Sequence, residues 1–279
     1  MIKYLEDIQN HIKEADLVVV GLGEEWNVSP TVQSGQQYQR IIADLSEKPE
    51  YRWILPFVYR QLTDESLRKA YKTLFDMLEG KNYYVVATTV NRSFLPFVKE
   101  NRAVMPCGSD ACLCDEMLTG CEDIPGKVVQ PEGDALTEAM KSPCEETVNY
   151  SEFLHSLTAY IKGEIALKEV AFVRDSTGEV IPFNSIYSPE YKEEGYLPQW
   201  SKYMSWLQGT MNRKTCLLEL GAGLQFPSVF RFPFEKMAYF NQKAFCFRVH
   251  KSLYQLTEEM AERSMSVPVH AVELFSEAE

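Results

Sequence analysis

Two stretches of this sequence place glycines where an apolar run ends. Leu17-Val18-Val19-Val20 runs into Gly21-Leu22-Gly23, and Thr215–Leu220 runs into Gly221-Ala222-Gly223. A strand entering Gly-x-Gly is what a dinucleotide site needs, because glycine permits a tight turn and a close backbone approach to a pyrophosphate. The pyrophosphate charge then meets helix N–H groups. The first turn lacks the third glycine of the full fingerprint, so taken alone it also reads as a plain strand-to-loop turn. Glu24 and Glu25 follow it where phosphate oxygens would be received. Like charges ~4 Å apart cost about 1 kcal/mol even in water. Either these carboxylates point away, or the ligand is not an ordinary pyrophosphate. Ligands of open α/β sheets bind at strand C-termini where the strand order reverses, so two such turns can line one crevice from two sides.

The cysteines offer a second chemistry. Cys107, Cys112, Cys114 and Cys121 crowd into a short stretch. Structural zinc needs four thiolate or imidazole ligands, usually as two close pairs separated by a loop. Cys112-Leu113-Cys114 has one intervening residue, which makes a poor knuckle, and nothing in the spacing of Cys144 and His155 completes a second pair. Free or buried thiols are the expectation, with no metal ligand assigned. Among the histidines, His11 reads as a surface residue of the first helix, His250 as a ligand contact at a strand end, and His270 as a hydrogen-bonded structural residue.

The elements that must position these residues follow from periodicity. Leu5, Ile8 and Ile12 predict an amphipathic helix over 3–14, and helical patterns return over 38–46, 51–62, 64–78, 191–207 and 257–264. Short runs rich in β-branched and aromatic residues predict buried parallel strands at 17–20, 83–87, 215–220 and 244–249, with a weaker one at 102–105. A hairpin is predicted around Ser176-Thr177-Gly178. Strands alternating with helices give an α/β fold, a Rossmann-type doubly wound parallel sheet. Residues 1–106 and 184–279 would form that split domain, and 107–183 a smaller inserted module.

The net charge of −12 argues against a nucleic-acid or anionic-membrane surface. No apolar run is long enough for a membrane span. Seven cysteines with no secretory signal predict reduced thiols in the cytoplasm.

The stretch Leu218-Glu219-Leu220-Gly221-Ala222-Gly223-Leu224-Gln225-Phe226-Pro227, continuing to Arg231-Phe232-Pro233-Phe234-Glu235, resembles the sirtuins. It is most similar to the bacterial branch that includes macrodomain-linked ADP-ribosyltransferases, which read close to L-E-L-G-x-G-x-N-T-P and then R-F-P-F-E. Asp16–Gly23 resembles that family's opening A-D-x-x-V-V-G-A-G. Tyr83–Thr89 resembles the strand before its T-T-N-x-D motif, and Glu259–Ser264 resembles its late E-E-I-A-x-R-S segment.

The resemblance implies a cleft binding NAD or ADP-ribose beside Gly21, Gly23, Thr89, Asn91, Gly221, Gly223, Gln225 and His250, and a small insertion that in the family often holds zinc. It implies cleavage of the nicotinamide–ribose bond, with ADP-ribose passing to an acyl-lysine, a side chain or water. The positions that carry this work have changed. Glu25 displaces the family's Ser after the first turn. Val90 and Arg92 fall on its Asn and Asp, with Asn91 one place late. Cys107, before Gly108, takes the place of the catalytic His or Gln. Gln225 and Phe226 replace the late Asn-Thr pair, Phe226 crowding a ribose, and His250 stands for an Asn directed at the adenine-side ribose. Cys107 would be a nucleophile if Arg92 or Arg102 lowered its pKa, and as a small packing residue it needs neither.

Three readings stay open. The chain binds NAD or ADP-ribose with deacylase activity lost. Alternatively, it is an active NAD-consuming enzyme (deacylase, ADP-ribosyltransferase or hydrolase) using rearranged residues such as Asn91 and Cys107. As a third reading, it is a protein-interaction scaffold in which Glu24 and Glu25 close the old phosphate site.

Overall fold

In the computed structural model, residues 1–110, 151–174 and 177–277 are described below. The expectations for Cys112, Cys114, Cys121, Cys144 and Ser176 lie outside them. Six strands form one sheet: β1 (Leu17–Leu22), β2 (Tyr83–Ala87), β3 (Ala103–Val104), β4 (Thr215–Leu220), β5 (Ala244–Val249) and β6 (Ser264–Val267). Their order is β3-β2-β1-β4-β5-β6, and every pairing is parallel. This is the Rossmann-type doubly wound arrangement, with the order reversing between β1 and β4. Both central strands are buried along their full length, which explains why they read as unbroken apolar runs rather than alternating ones.

Helices cover the sheet. Helix α1 (Ile2–Glu14) buries Leu5, Ile8 and Ile12, the stripe its spacing predicts. After a short α2 (Pro30–Ser34), capped by the Ser29 hydroxyl, come α3 (Gln36–Glu47), α4 (Leu55–Gln61) and α5 (Glu65–Met77). The Asp64 carboxylate caps α5 by accepting from the Leu67 N–H at 3.0 Å, satisfying one of the donors a helix start leaves free. Beyond β3 lie α6 (Ser151–Lys162) and α7 (Leu197–Gln208), and later α8 (Arg231–Phe240) and α9 (Ala271–Ser276). A second apolar core, separate from those on the two sheet faces, joins Ile41, Trp53 and Phe57 to Phe153, Leu157 and Phe183. Residues between β1 and β2 therefore share a core with residues that follow β3.

The structure corrects several element assignments. Residues 257–264 are not an α-helix: a 3-10 turn over Glu258–Arg263 leads into strand β6, which pairs with β5. Strand β6 is a half-buried edge, so it lacks the apolar run that identifies its neighbours. The helix expected from Tyr191 begins at Leu197, where Pro198 presets the first turn. Pro56 likewise divides the 51–62 pattern into a 3-10 turn and α4. Arg174 and Val180 form an antiparallel bridge where the hairpin was expected.

Candidate functional site: the crevice between two glycine turns

The turns after β1 and β4 lie side by side at the C-terminal edge of the sheet, at the point where strand order reverses. They touch. The Gly23 N–H donates to the Leu220 carbonyl at 2.8 Å, and a Cβ on Gly23 would stand 2.1 Å from the Gly221 carbonyl oxygen. Gly221 adopts φ +69°, which favours glycine. Both glycines are thus required by the mutual approach of the turns, whether or not a ligand is near.

The two glutamates reach from the first turn to main-chain donors of neighbouring segments. The Glu24 carboxylate accepts the Gly223 N–H at 2.5 Å. The Glu25 carboxylate accepts the Lys251 N–H at 3.0 Å with one oxygen and the Ala271 N–H at 2.8 Å with the other. Burial pushes the Glu25 carboxyl up to about 7; its two backbone hydrogen bonds pull against this, and Glu273 adds to it. His250 Nδ1 stands 3.4 Å from Glu25, yet it accepts the Ser252 and Leu253 N–H groups at 2.9 and 3.0 Å. Burial, aided by Arg231, lowers His250 to about 4. Neutral imidazole therefore faces Glu25 at neutral pH, and the pair is not a salt bridge. His270, lowered to about 4 by burial and then by Lys251 and His250, is also neutral.

Thr89 and Asn91 lie in the loop after β2, fully buried. The Thr89 hydroxyl donates to Asn27 Oδ1 at 2.8 Å. The Asn91 amide donates to the Asn27 and Tyr59 carbonyls and to the Thr63 hydroxyl, and its oxygen caps the following 3-10 turn by accepting from the Ser93 N–H. These contacts commit the side-chain amide to holding the loop. Cys107 follows β3 in the second core and is 1% exposed. Burial, and secondarily the Glu24 carboxylate, push its thiol well above the usual range, so neither Arg92 nor Arg102 activates it. Arg92 instead pairs with Asp110 at 2.7 Å, alongside Arg60. Burial raises the Asp110 carboxyl and the two guanidiniums more than reverse this, holding it below its ordinary value. Gln225 is exposed in the loop beyond Gly223. Phe226 packs against the core that contains Cys107.

Sequence reasoning expected residues 231–235 to pack under the second turn but missed the ionic network that supports it. Glu219, buried in β4, is bridged by Arg231 at 2.9 Å and Arg248 at 2.8 Å, and Arg248 also reaches Glu235 at 2.7 Å. Arg231 donates as well to the Ala222 carbonyl, within the turn, at 3.1 Å. A lone carboxylate in a six-residue buried strand was the available signal, since such a charge requires partners. A chain of tyrosines was also missed: Tyr59 hydrogen-bonds both Tyr38 and Tyr187, and Tyr187 lies near Cys107 and Glu24.

Topology defines an α/β protein with a Rossmann-type doubly wound parallel sheet, whose main-chain N–H groups near the switch point are held by its own carboxylates. No family model matches the chain. It is similar to a protein ADP-ribosyltransferase of Staphylococcus aureus (strain Mu50 / ATCC 700699), 20% identical over 292 residues, spanning 94% of this chain and 83% of that protein. Among solved structures, a mutant Sir2 homologue in complex with ADP-ribose aligns at 12% identity and a TM-score of 0.44, over 98% of this chain and 94% of that one. Among the described residues no group of three or more His, Cys, Asp or Glu side chains could hold a metal ion, and no helix is long and apolar enough to cross a membrane.

Proposed function

We propose that this chain is a sirtuin-related protein that binds NAD or ADP-ribose in the crevice between its glycine turns, with deacylase activity lost. One observation carries the reading. Near the switch point of a doubly wound sheet, main-chain N–H groups of Gly223, Lys251 and Ala271 donate to carboxyl oxygens of Glu24 and Glu25. Oriented backbone N–H groups at this place in the fold are the ordinary means of holding phosphate oxygens. Similarity to an ADP-ribosyltransferase over most of the chain supports the same ligand class.

Loss of deacylation rests on the replaced positions. A general acid–base group must exchange protons near neutral pH, and a buried thiol held above its usual pKa does not. Asn91 is committed to the loop, and Arg92 to Asp110. Calorimetric titration with NAD, ADP-ribose, NADP and AMP tests the binding reading, which expects saturable heat for NAD or ADP-ribose. No response from any of them at millimolar concentration removes it. Release of nicotinamide from NAD above a boiled control would show instead that the residues here turn the cofactor over.

A protein-interaction scaffold is the second reading, favoured by the same carboxylates, which fill the place a phosphate would take. Crystals grown with ADP-ribose separate the two: density beside Gly21 and Gly221 supports the first, and unmoved glutamates with no density support the second.

A further inference from the structure

The carboxylates of Glu24 and Glu25 sit on donors contributed by three separate segments, the turn after β4, the turn after β5 and the start of α9. Apart from neutral His250 beside Glu25, the contacts made by these carboxylates are main-chain N–H groups rather than cationic side chains, which is how a fold holds an oxyanion. Resting on the nucleotide reading, we propose that Glu24 and Glu25 are an internal stand-in for the ligand's phosphates. A diphosphate enters only by taking over the backbone N–H groups that these carboxylates hold.

The turn is built for side-chain exchange rather than for loop opening. Trp26, next in sequence, is fully buried and stacks on Tyr71 with ring centroids 5.2 Å apart. The Tyr71 hydroxyl donates to the Trp26 carbonyl at 3.1 Å. The backbone of the 3-10 turn is thereby pinned, and rotation of two side chains vacates the donors. A carboxylate and a phosphate cannot share those donors, because two anions at contact distance in a half-buried site repel strongly. A ligand that lacks phosphate makes no such demand.

The device also responds to pH. The titratable and charged groups facing Glu25 are His250 and Lys251 beyond β5 and Glu273 in α9, with His270, just before α9, acted on by Lys251 and His250. Both histidines are held near 4 and do not titrate around neutrality. Glu25 gains its proton as pH falls through about 7, which removes one of the crevice's negative charges. Acidification therefore favours a diphosphate.

The test is calorimetry on the full chain with ADP-ribose and, as a phosphate-free control, adenosine. Glu25→Ser restores the residue type expected after the first turn, and Glu24→Ala with Glu25→Ser clears both carboxylates. ADP-ribose is expected to bind the double variant roughly 10- to 100-fold more tightly than wild type, with adenosine changed less than about threefold. Equal ADP-ribose affinity in wild type and both variants overturns this proposal alone and leaves the nucleotide reading standing. No ADP-ribose binding to any form overturns both. If the variants do not fold, the wild-type chain still decides. In crystals of it grown with ADP-ribose, the diphosphate must hold the Gly223, Lys251 and Ala271 N–H groups with both carboxylates rotated away, and a bound diphosphate with both carboxylates still seated on those donors rejects the proposal.

Discussion

The two glycine turns are alike in sequence and opposite in support. The second turn stands on a buried ionic network: Arg231 ties the Ala222 carbonyl to Glu219, which is held in turn by Arg248 and, through it, linked to Glu235. The first turn sends its carboxylates to main-chain donors of three other segments. Carboxylates on both sides are largely desolvated, but those under the second turn are paired with guanidiniums, whereas those of the first turn hold main-chain N–H groups. Under the proposed nucleotide reading, the second turn is the fixed wall of the site and the first the exchangeable one.

The sharpest way to break that comparison is to remove the support. Glu219→Ala leaves Arg231 and Arg248 buried without their shared carboxylate, and breaking a buried pair in this way costs about 3–5 kcal/mol. Burial raises the Glu219 pKa even with Arg248 and then Arg231 opposing it, as expected of a charge that survives only through its partners. Urea denaturation should show the loss. Hydrogen exchange at the Gly221 N–H, which donates to the Val249 carbonyl at 2.7 Å, should quicken by more than at the Gly23 N–H. Equal loosening of both turns would contradict the division drawn above.

Asn91→Ala ranks next. It leaves the Asn27 and Tyr59 carbonyls, the Thr63 hydroxyl and the Ser93 N–H short of a partner, and a stability loss of about 2 kcal/mol is expected in the same assay. A chain that keeps its stability would return Asn91 to the group of residues free to meet a ligand.

How much of this was legible depends on the kind of interaction. Strands β1, β2, β4 and β5 announced themselves because burial on both faces leaves continuous apolar runs. Strand β6 did not, because an edge strand with three half-buried residues needs no such run. Both glycine turns were visible, and so was the conflict that Glu24 and Glu25 create. Their direction was not, since it is fixed by N–H groups at Gly223, Lys251 and Ala271, distant in sequence. Asn27 escaped notice for the same reason: its partners Thr89 and Val90 come from another strand's end.

A smaller effect probes the first turn through linkage. Glu25 has a folded pKa of about 7 against an ordinary 4.5 for the model carboxyl. The proton favours the folded chain, so the stability it contributes is complete below about pH 4.5 and is lost as pH rises through 7. His250 and His270 work in the opposite direction: their folded values near 4 lie below the ordinary 6.5, so they lose stability as pH falls through that interval. From about pH 4.5 to about one pH unit above 6.5 the slopes oppose one another, because the unfolded histidines are still partly protonated at 6.5. Because the histidine slopes offset that of Glu25, the effect is read as a difference: relative to Glu25→Gln, wild type should lose less than about 1 kcal/mol of stability from pH 6.5 to 8. A wild-type-minus-variant difference that does not change with pH would remove Glu25 from the titrating groups.

The smallest effect concerns the thiol beside the first turn. Cys107 is held up chiefly by burial and only secondarily by Glu24. Alkylation requires thiolate and access, so in the folded chain Cys107 should stay unlabelled by iodoacetamide at pH 8 while the denatured chain labels fully, as peptide mapping would show. Glu24→Gln removes the lesser cause and keeps an oxygen to accept the Gly223 N–H, so labelling should quicken by no more than about threefold. Rapid native labelling would mean a thiolate within reach of solvent at the crevice wall. Cys107 would then belong to the exchangeable side of the site, with Glu24 restraining its reactivity.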